Sequence, residues 1–248
     1  MTSGSSTGLP TGRRRTGRIA WGISDALLCW IAGGVVAGVV GIPLYSRLGA
    51  DLDPVYTFGL LLPAQQVTVI LAVYLVSRWK GLGSLAADFG LRFGLRWSDT
   101  RALAVGAVLE MVLAAAVLPL LTLSRDAQPQ QLLRDLHHSR GAPPVFLFVI
   151  GAVVLAPLVE ELLYRGLLLR ALLRRMEPAG AVFTSALVFA LVHYVGDPGT
   201  LPFVPALTAL GVVLGLVALR TGNLKWPMLI HAGFNLTTTV LFLTAASH

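Results

Sequence analysis

Leu158-Val-Glu-Glu-Leu-Leu-Tyr-Arg-Gly166 places two adjacent carboxylates and a guanidinium inside an otherwise apolar helical run. A charged residue at the centre of a membrane helix costs roughly 2.5–3.5 kcal/mol on an insertion scale, so charges in such a position indicate a role. Glu161 and Arg165 are four residues apart with the acid first, the favourable order for an ion pair on one helix face. Glu160 lies about 100° around the helix from Glu161, so it needs a different partner.

The composition identifies an integral membrane protein. The 248 residues are 55% hydrophobic and 12% charged, against about 25% charged in soluble domains. A net charge of +7 is compatible with nucleic-acid binding, but in a polytopic chain positive charge collects in cytoplasmic loops, so we expect no nucleic-acid partner. The single cysteine, Cys29, excludes a disulfide framework and a cysteine-based metal site.

The hydropathy pattern predicts an all-α bundle of about seven transmembrane helices. Each apolar segment is close to the ~20 residues that cross a bilayer. The predicted segments are 24–44, 57–77, 102–123, 144–164, 180–195, 203–219 and 227–245. They form one membrane domain, 19–248, after a basic cytoplasmic tail at 1–18 that we expect to be disordered and not to be a cleaved signal.

The distribution of basic residues predicts the orientation. In an alternating arrangement of seven spans, 15 Lys and Arg residues fall on the side of the N-terminus and four on the other side. The positive-inside rule then places the N-terminus in the cytoplasm and the C-terminus outside. The composition, rich in alanine, glycine and arginine, is typical of a bacterial source and predicts a bacterial cell membrane.

Four other features have simpler interpretations. Residues 88–97 mix aromatic residues, basic residues and glycine, which is typical of a segment at the membrane interface. His137-His138 in the outer loop point about 100° apart if helical and are expected to be solvated. Gly211 and Gly215 predict a close helix contact. Glu110 is either a proton relay, a residue lining the site, or a group paired with an internal polar residue.

Two later helices carry the polar groups that Glu160 requires. Phe189 and His193 are four residues apart in one apolar helix, and His231 and Asn235 are four apart in another. A lone helical histidine is more often a hydrogen-bonded core residue than a catalyst. Polar groups on three membrane helices, each costly unless paired, favour one shared site.

This set of residues fits hydrolysis of a peptide bond. A partly desolvated Glu160 is a suitable general base for water, and His193 could share that water. His231 and Asn235 could donate to the oxyanion of a tetrahedral intermediate. The glutamate and two histidines would also suit Zn²⁺, which takes three protein ligands and a water at catalytic sites; spacing does not separate the two chemistries, and no HExxH motif occurs.

The three motifs resemble those of the CAAX protease and bacteriocin-processing family of intramembrane endopeptidases, which includes the Ras-converting CAAX endopeptidase. Glu-Glu-x-x-x-Arg matches Glu160, Glu161 and Arg165, Phe-x-x-x-His matches Phe189 and His193, and His-x-x-x-Asn matches His231 and Asn235. The resemblance covers about residues 145–240.

The resemblance implies endoproteolysis within the membrane, with Glu160 as the base and Glu161 and Arg165 orienting the site. The implied partners are the lipid bilayer and a membrane-embedded or lipidated peptide or protein. Members of the family are usually described as metalloproteases. We favour a mechanism that needs no cofactor, because Asn235 suits an oxyanion hole better than a zinc site, with Zn²⁺ as the alternative.

Two other functions compete with proteolysis. A non-catalytic scaffold or immunity-type protein would keep the helical frame, but the presence of all the motif residues argues against it. A small proton-coupled transporter would use Glu110, Glu160 and the histidines as an ion path.

Straight helices place Glu160 and His193 at different depths in the membrane. We therefore expect the fourth span to be a long, tilted helix of up to about thirty residues that ends before Pro178.

Overall fold

The chain folds as a helical bundle in the computed structural model, which describes residues 19–48, 54–91, 94, 96–123 and 142–245. No strand occurs in these ranges. The helices are α1 (Ile23–Leu48), α2 (Pro54–Lys80), a short α3 (Leu85–Phe89), α4 (Thr100–Leu123), α5 (142–172), α6 (Pro178–Gly196), α7 (Val204–Thr221) and α8 (Lys225–Ala245). The tail at 1–18 and His137-His138 lie outside the described residues.

The prediction of an all-helical membrane bundle is confirmed. Each of the seven predicted segments coincides with one of the long helices. In the described part of the chain, six helices are long and apolar enough to cross a membrane, and α2 is not in that set. Apolar side chains such as Val39, Ile42 and Val195 are exposed on the outside of the bundle, as a lipid-facing surface requires.

The helix α5 is the longest span and contains two π-helical segments. It begins as an α-helix at Ala142–Val149, becomes π-helical at Ile150–Leu155, returns to α at Ala156–Glu160, is π-helical again at Glu161–Leu168 and ends with Leu169–Leu172. Its membrane-spanning part, Phe146–Leu172, is 27 residues long. The expected long helix ending before Pro178 is therefore confirmed.

The length of α5 removes the expected difference in depth between Glu160 and His193. Glu160 is about 18 Å from the end of α5 at Leu172, and His193 is about 22 Å from the start of α6 at Pro178, at 1.5 Å per residue. Because α5 ends and α6 begins on the same side of the bundle, the two side chains reach similar levels.

The segment between α2 and α4 connects three helix ends. The buried Asp88 carboxylate accepts hydrogen bonds from the Ser77 hydroxyl (2.5 Å) and the Leu82 N–H (2.8 Å). Arg170 of α5 donates to the carbonyl oxygens of Asp88 and Phe89. Lys225 at the start of α8 pairs with Asp99 at 3.0 Å. These contacts fix the positions of α5 and α8, which carry the site.

Two helix pairs approach closely through glycine. A Cβ on Gly106 of α4 would lie 2.0 Å from the Ile230 carbonyl oxygen, and a Cβ on Gly233 of α8 would lie 2.2 Å from that of Leu103. A Cβ on Gly211 of α7 would lie 2.8 Å from the Cβ of Ala186 in α6. The close contact predicted for Gly211 is confirmed, and α4 and α8 form a closer one.

Candidate active site

A cavity of about 420 Å³ lies inside the bundle and collects polar side chains from α2, α4, α5, α6 and α8. Glu160, His193, His231 and Asn235 line it. Most of the remaining lining is apolar, including Phe148, Phe203 and Leu207. The structure thus brings together the four groups to which the sequence assigned the chemistry, from three different helices.

Glu161 and Arg165 form the support behind this cavity. Both side chains are buried, and the Arg165 Nη1 donates to Glu161 Oε1 at 2.7 Å. The second guanidinium nitrogen donates to the Gly211 carbonyl oxygen of α7 at 3.1 Å. The ion pair predicted from the i,i+4 spacing therefore forms, and it also ties α5 to α7.

His231 lies between the two glutamates of α5. Its Nδ1 is 3.0 Å from Glu161 Oε1, and its Nε2 is 3.7 Å from Glu160 Oε2. Because the Glu161 carboxylate already accepts from Arg165, the proton of this contact is assigned to His231 Nδ1. Glu161 therefore orients the imidazole and turns Nε2 towards Glu160 and the cavity.

His193, like His231, has its Nδ1 held by an acceptor, which here is a backbone carbonyl group. Its Nδ1 lies 2.8 Å from the Phe189 carbonyl oxygen, which can only accept, so this nitrogen carries the proton. The neutral imidazole then presents the Nε2 lone pair as an acceptor. His193 can therefore accept a hydrogen bond from a water molecule in the cavity.

Asn235 is fixed by a carbonyl group that α5 leaves without a helical partner. The Ala156 N–H donates to the Gly151 carbonyl in the π-helical turn and not to Ala152. The next residue that could reach Ala152 is Pro157, which has no N–H. The Asn235 side-chain nitrogen donates to this Ala152 oxygen at 2.8 Å, and the rest of the amide lines the cavity.

Phe189 organises the aromatic wall of the site. Its buried ring meets the rings of Tyr164, His193 and His231 edge to face, with centroids 5.3, 4.7 and 5.7 Å away. The Arg165 guanidinium lies over the same ring at 4.8 Å from its centroid. The aromatic residue of the second motif thus packs between both histidines and the buried cation.

The sequence did not indicate every group that shapes the site. The roles of the Ala152 and Gly211 carbonyl groups depend on backbone geometry, although Pro157 inside an apolar helix is a visible signal of irregular winding. Glu110 and Gln66 are buried and line the same cavity. The structure therefore places Glu110 in the lining of the cavity beside the polar residue Thr238, and its role as a proton relay stays a prediction.

The residues present give little support for a bound metal. Glu160, His193 and His231 are the donors that Zn²⁺ would require. Within the described residues, no group of three or more His, Cys, Asp or Glu side chains is placed to hold a metal ion.

The fold and the cavity define a polytopic membrane protein with a carboxylate, histidine and asparagine site inside its bundle. Residues 142–237 match the family model described as type II CAAX prenyl endopeptidase Rce1-like. All three motifs fall in this segment, and the resemblance found from the motifs is confirmed. The match of this segment supports a protease embedded in a membrane. Comparisons with curated proteins and with solved structures found no match.

Proposed function

We propose that the protein is an intramembrane endopeptidase that cleaves a membrane-associated or lipidated peptide, with Glu160 as the general base. The observation that carries this proposal is the convergence of Glu160, His193, His231 and Asn235 on one cavity. An apolar wall and a few convergent polar groups are the usual properties of a substrate site.

Glu160 and His193 are suited to activate water. Glu160 Oε2 makes no hydrogen bond with the described residues, and the His193 Nε2 lone pair is also open. A water between them would give one proton to Glu160 as its oxygen attacks the carbonyl carbon of the substrate. Glu160 would then pass this proton to the leaving amine, so the carboxylate is regenerated without a covalent intermediate.

His231 and Asn235 are suited to stabilise the oxyanion. The Asn235 amide has a second N–H besides the one that binds Ala152. His231 can donate from Nε2 only in its protonated form, because Nδ1–H is directed to Glu161. Removing one such donor typically lowers kcat by about 10²–10³-fold.

The test follows cleavage of a quenched fluorescent lipopeptide panel by detergent-purified protein. We expect Glu160→Gln to lose activity by at least about 10²-fold, in the range for a general base. Glu177→Gln is the matched control, since Glu177 is exposed at the start of α6. Equal turnover by Glu160→Gln and wild type would remove the proposed base.

A zinc chelator added to each protein tests the mechanism separately. Full activity in chelator supports water activation by glutamate alone. Loss of activity in chelator, with recovery when Zn²⁺ is returned, would instead establish a metal. Measured ion flux without cleavage of any peptide would favour the transporter.

A further inference from the structure

The cavity contains a second polar group that the proposed chemistry does not use. Glu110 of α4 and Gln66 of α2 are each more than nine-tenths buried, and both line the cavity. Thr238 of α8 also lines it, beside Glu110. Glu110 and Thr238 are named the Glu110 subsite.

The three glutamates at the cavity differ in their basic neighbours. Glu161 is paired with Arg165, and Glu160 faces His231. Within the described part of the chain, no Lys, Arg or His lies within ion-pair distance of Glu110. A buried carboxylate without a cation is costly, so a ligand that brings a positive charge would be bound strongly there.

Gln66 strengthens this interpretation. Its buried side chain makes no hydrogen bond with the residues that the structure describes. The Thr238 hydroxyl donates its single proton to the Phe234 carbonyl oxygen of its own helix, at 3.2 Å. The Glu110 carboxylate therefore provides an open acceptor for an ammonium or guanidinium group, and the Gln66 amide oxygen is another acceptor in the lining of the same cavity.

The distance of the Glu110 subsite from Asn235 indicates which residue of the substrate would reach it. Asn235 and Thr238 are three residues apart on α8, a rise of about 4.5 Å. An extended peptide advances about 3.3 Å per residue. A side chain that reaches Glu110 would therefore belong to a residue one or two positions from the bond that is cleaved.

We propose that the Glu110 subsite selects substrates with a basic residue one or two positions from the scissile bond. This inference rests on the proposed endopeptidase function, because the position of the basic residue is counted from the scissile bond. The binding of a basic group to Glu110 does not itself require cleavage.

The experiment measures binding first. Full-length Glu160→Gln protein in detergent is titrated with fluorescein-labelled, farnesylated dodecapeptides of alanine and leucine, in which one lysine or one norleucine is moved through the sequence. We expect lysine at one or two adjacent positions to lower Kd about tenfold relative to norleucine, the scale of one charge-assisted hydrogen bond. Adding Glu110→Gln should remove this difference, so that the lysine and norleucine peptides bind with equal Kd.

A second variant checks that the effect belongs to the charge. Glu110→Asp keeps the carboxylate and should retain a preference for lysine, and thermal unfolding confirms that both variants fold. A lysine preference that survives in Glu110→Gln, or no preference at any position in protein with Glu110, would overturn the proposal.

Cleavage by protein with Glu160 intact separates the two proposals. Mass spectrometry of the products locates the scissile bond, which should lie one or two residues from the preferred lysine. Cleavage without a lysine preference would refute the subsite and support the protease. A preference for lysine in binding without any cleavage would support the subsite and count against the protease.

Discussion

The Asn235 side-chain amide donates to the Ala152 carbonyl oxygen at 2.8 Å, linking the third motif to a π-helical turn of α5. This carbonyl is open because the Ala156 N–H bonds to Gly151 and because Pro157 has no N–H. One proline in α5 therefore determines the orientation of an amide on α8. Single π-helical turns occur frequently at functional sites, and here the reason is a specific hydrogen bond.

Replacing Pro157 by alanine should lower kcat. The new N–H would compete for the Ala152 carbonyl, and Asn235 would lose its fixed orientation towards the oxyanion. Small displacements of catalytic groups can cost up to about 10²-fold, so we expect a loss of about tenfold or more in peptide cleavage, with KM less affected. Steady-state kinetics in detergent measure this loss.

A double-mutant cycle decides whether Pro157 acts through Asn235. If it does, Pro157→Ala should have little further effect in an Asn235→Ala background, since groups that act as a unit are non-additive. Pro178→Ala is the control, because Pro178 occupies the first turn of α6, where no helical N–H is required. Additive losses would show that Pro157 affects activity by another route.

Replacing Arg165 by methionine should destabilise the protein strongly. Glu161 and Arg165 are 0% and 1% exposed, so the change leaves a buried carboxylate without its cation. Breaking a buried pair in this way costs about 3–5 kcal/mol, whereas Arg175→Met in the turn after α5, where the side chain is exposed, should change stability by less than about 0.5 kcal/mol. Equilibrium unfolding in mixed micelles measures both values.

Stability and activity should separate when both partners are changed. Glu161→Leu combined with Arg165→Met removes both charges, and we expect it to be more stable than Arg165→Met alone. Its cleavage activity should stay low, because His231 loses the carboxylate that holds Nδ1 at 3.0 Å. Recovery of activity together with stability would show that Glu161 has no positioning role.

The helical bundle of this protein could be predicted from the sequence, because the patterns that indicate its helices are local. Seven apolar segments and the i,i+4 pair of Glu161 and Arg165 depend on residues close in the chain. The prediction that Glu160, His193, His231 and Asn235 share one site also agrees with the structure, since isolated polar groups in a membrane must find each other.

Other features depend on contacts that no local pattern contains. The bond between Asn235 and Ala152 requires a change in helical winding, and the choice of Glu161 over Glu160 as the Nδ1 partner of His231 depends on how α8 packs on α5. Glu110 was recognised as a polar residue in a helix, but its place in the cavity follows from the close approach of α4 and α8 at Gly106. Non-local packing therefore decides which polar groups meet.

Replacing Gly106 by alanine should destabilise the protein and change the shape of the cavity. The added Cβ would lie 2.0 Å from the Ile230 carbonyl oxygen and 2.7 Å from the Phe234 nitrogen, so α4 and α8 would have to separate. We expect a destabilisation of about 1–3 kcal/mol, the usual scale for overpacking, with reduced cleavage because Glu110 and His231 move apart. Gly34→Ala in α1 is the control, since its Cβ meets nothing within 4 Å.

The charge distribution makes a further prediction about orientation. Arg165 is buried in an ion pair, so it is left out of the count of basic residues on the two sides of the membrane. Without it, 14 basic residues lie on one predicted side and four on the other. Ser98 before α4 should therefore face the cytoplasm, and Leu201 between α6 and α7 should face outside; both are exposed. In a Cys29→Ala background, a membrane-impermeant maleimide added to intact cells should label Leu201→Cys but not Ser98→Cys. Inverted membrane vesicles should reverse the result, and labelling of Ser98→Cys in sealed cells would show that the protein has the opposite orientation.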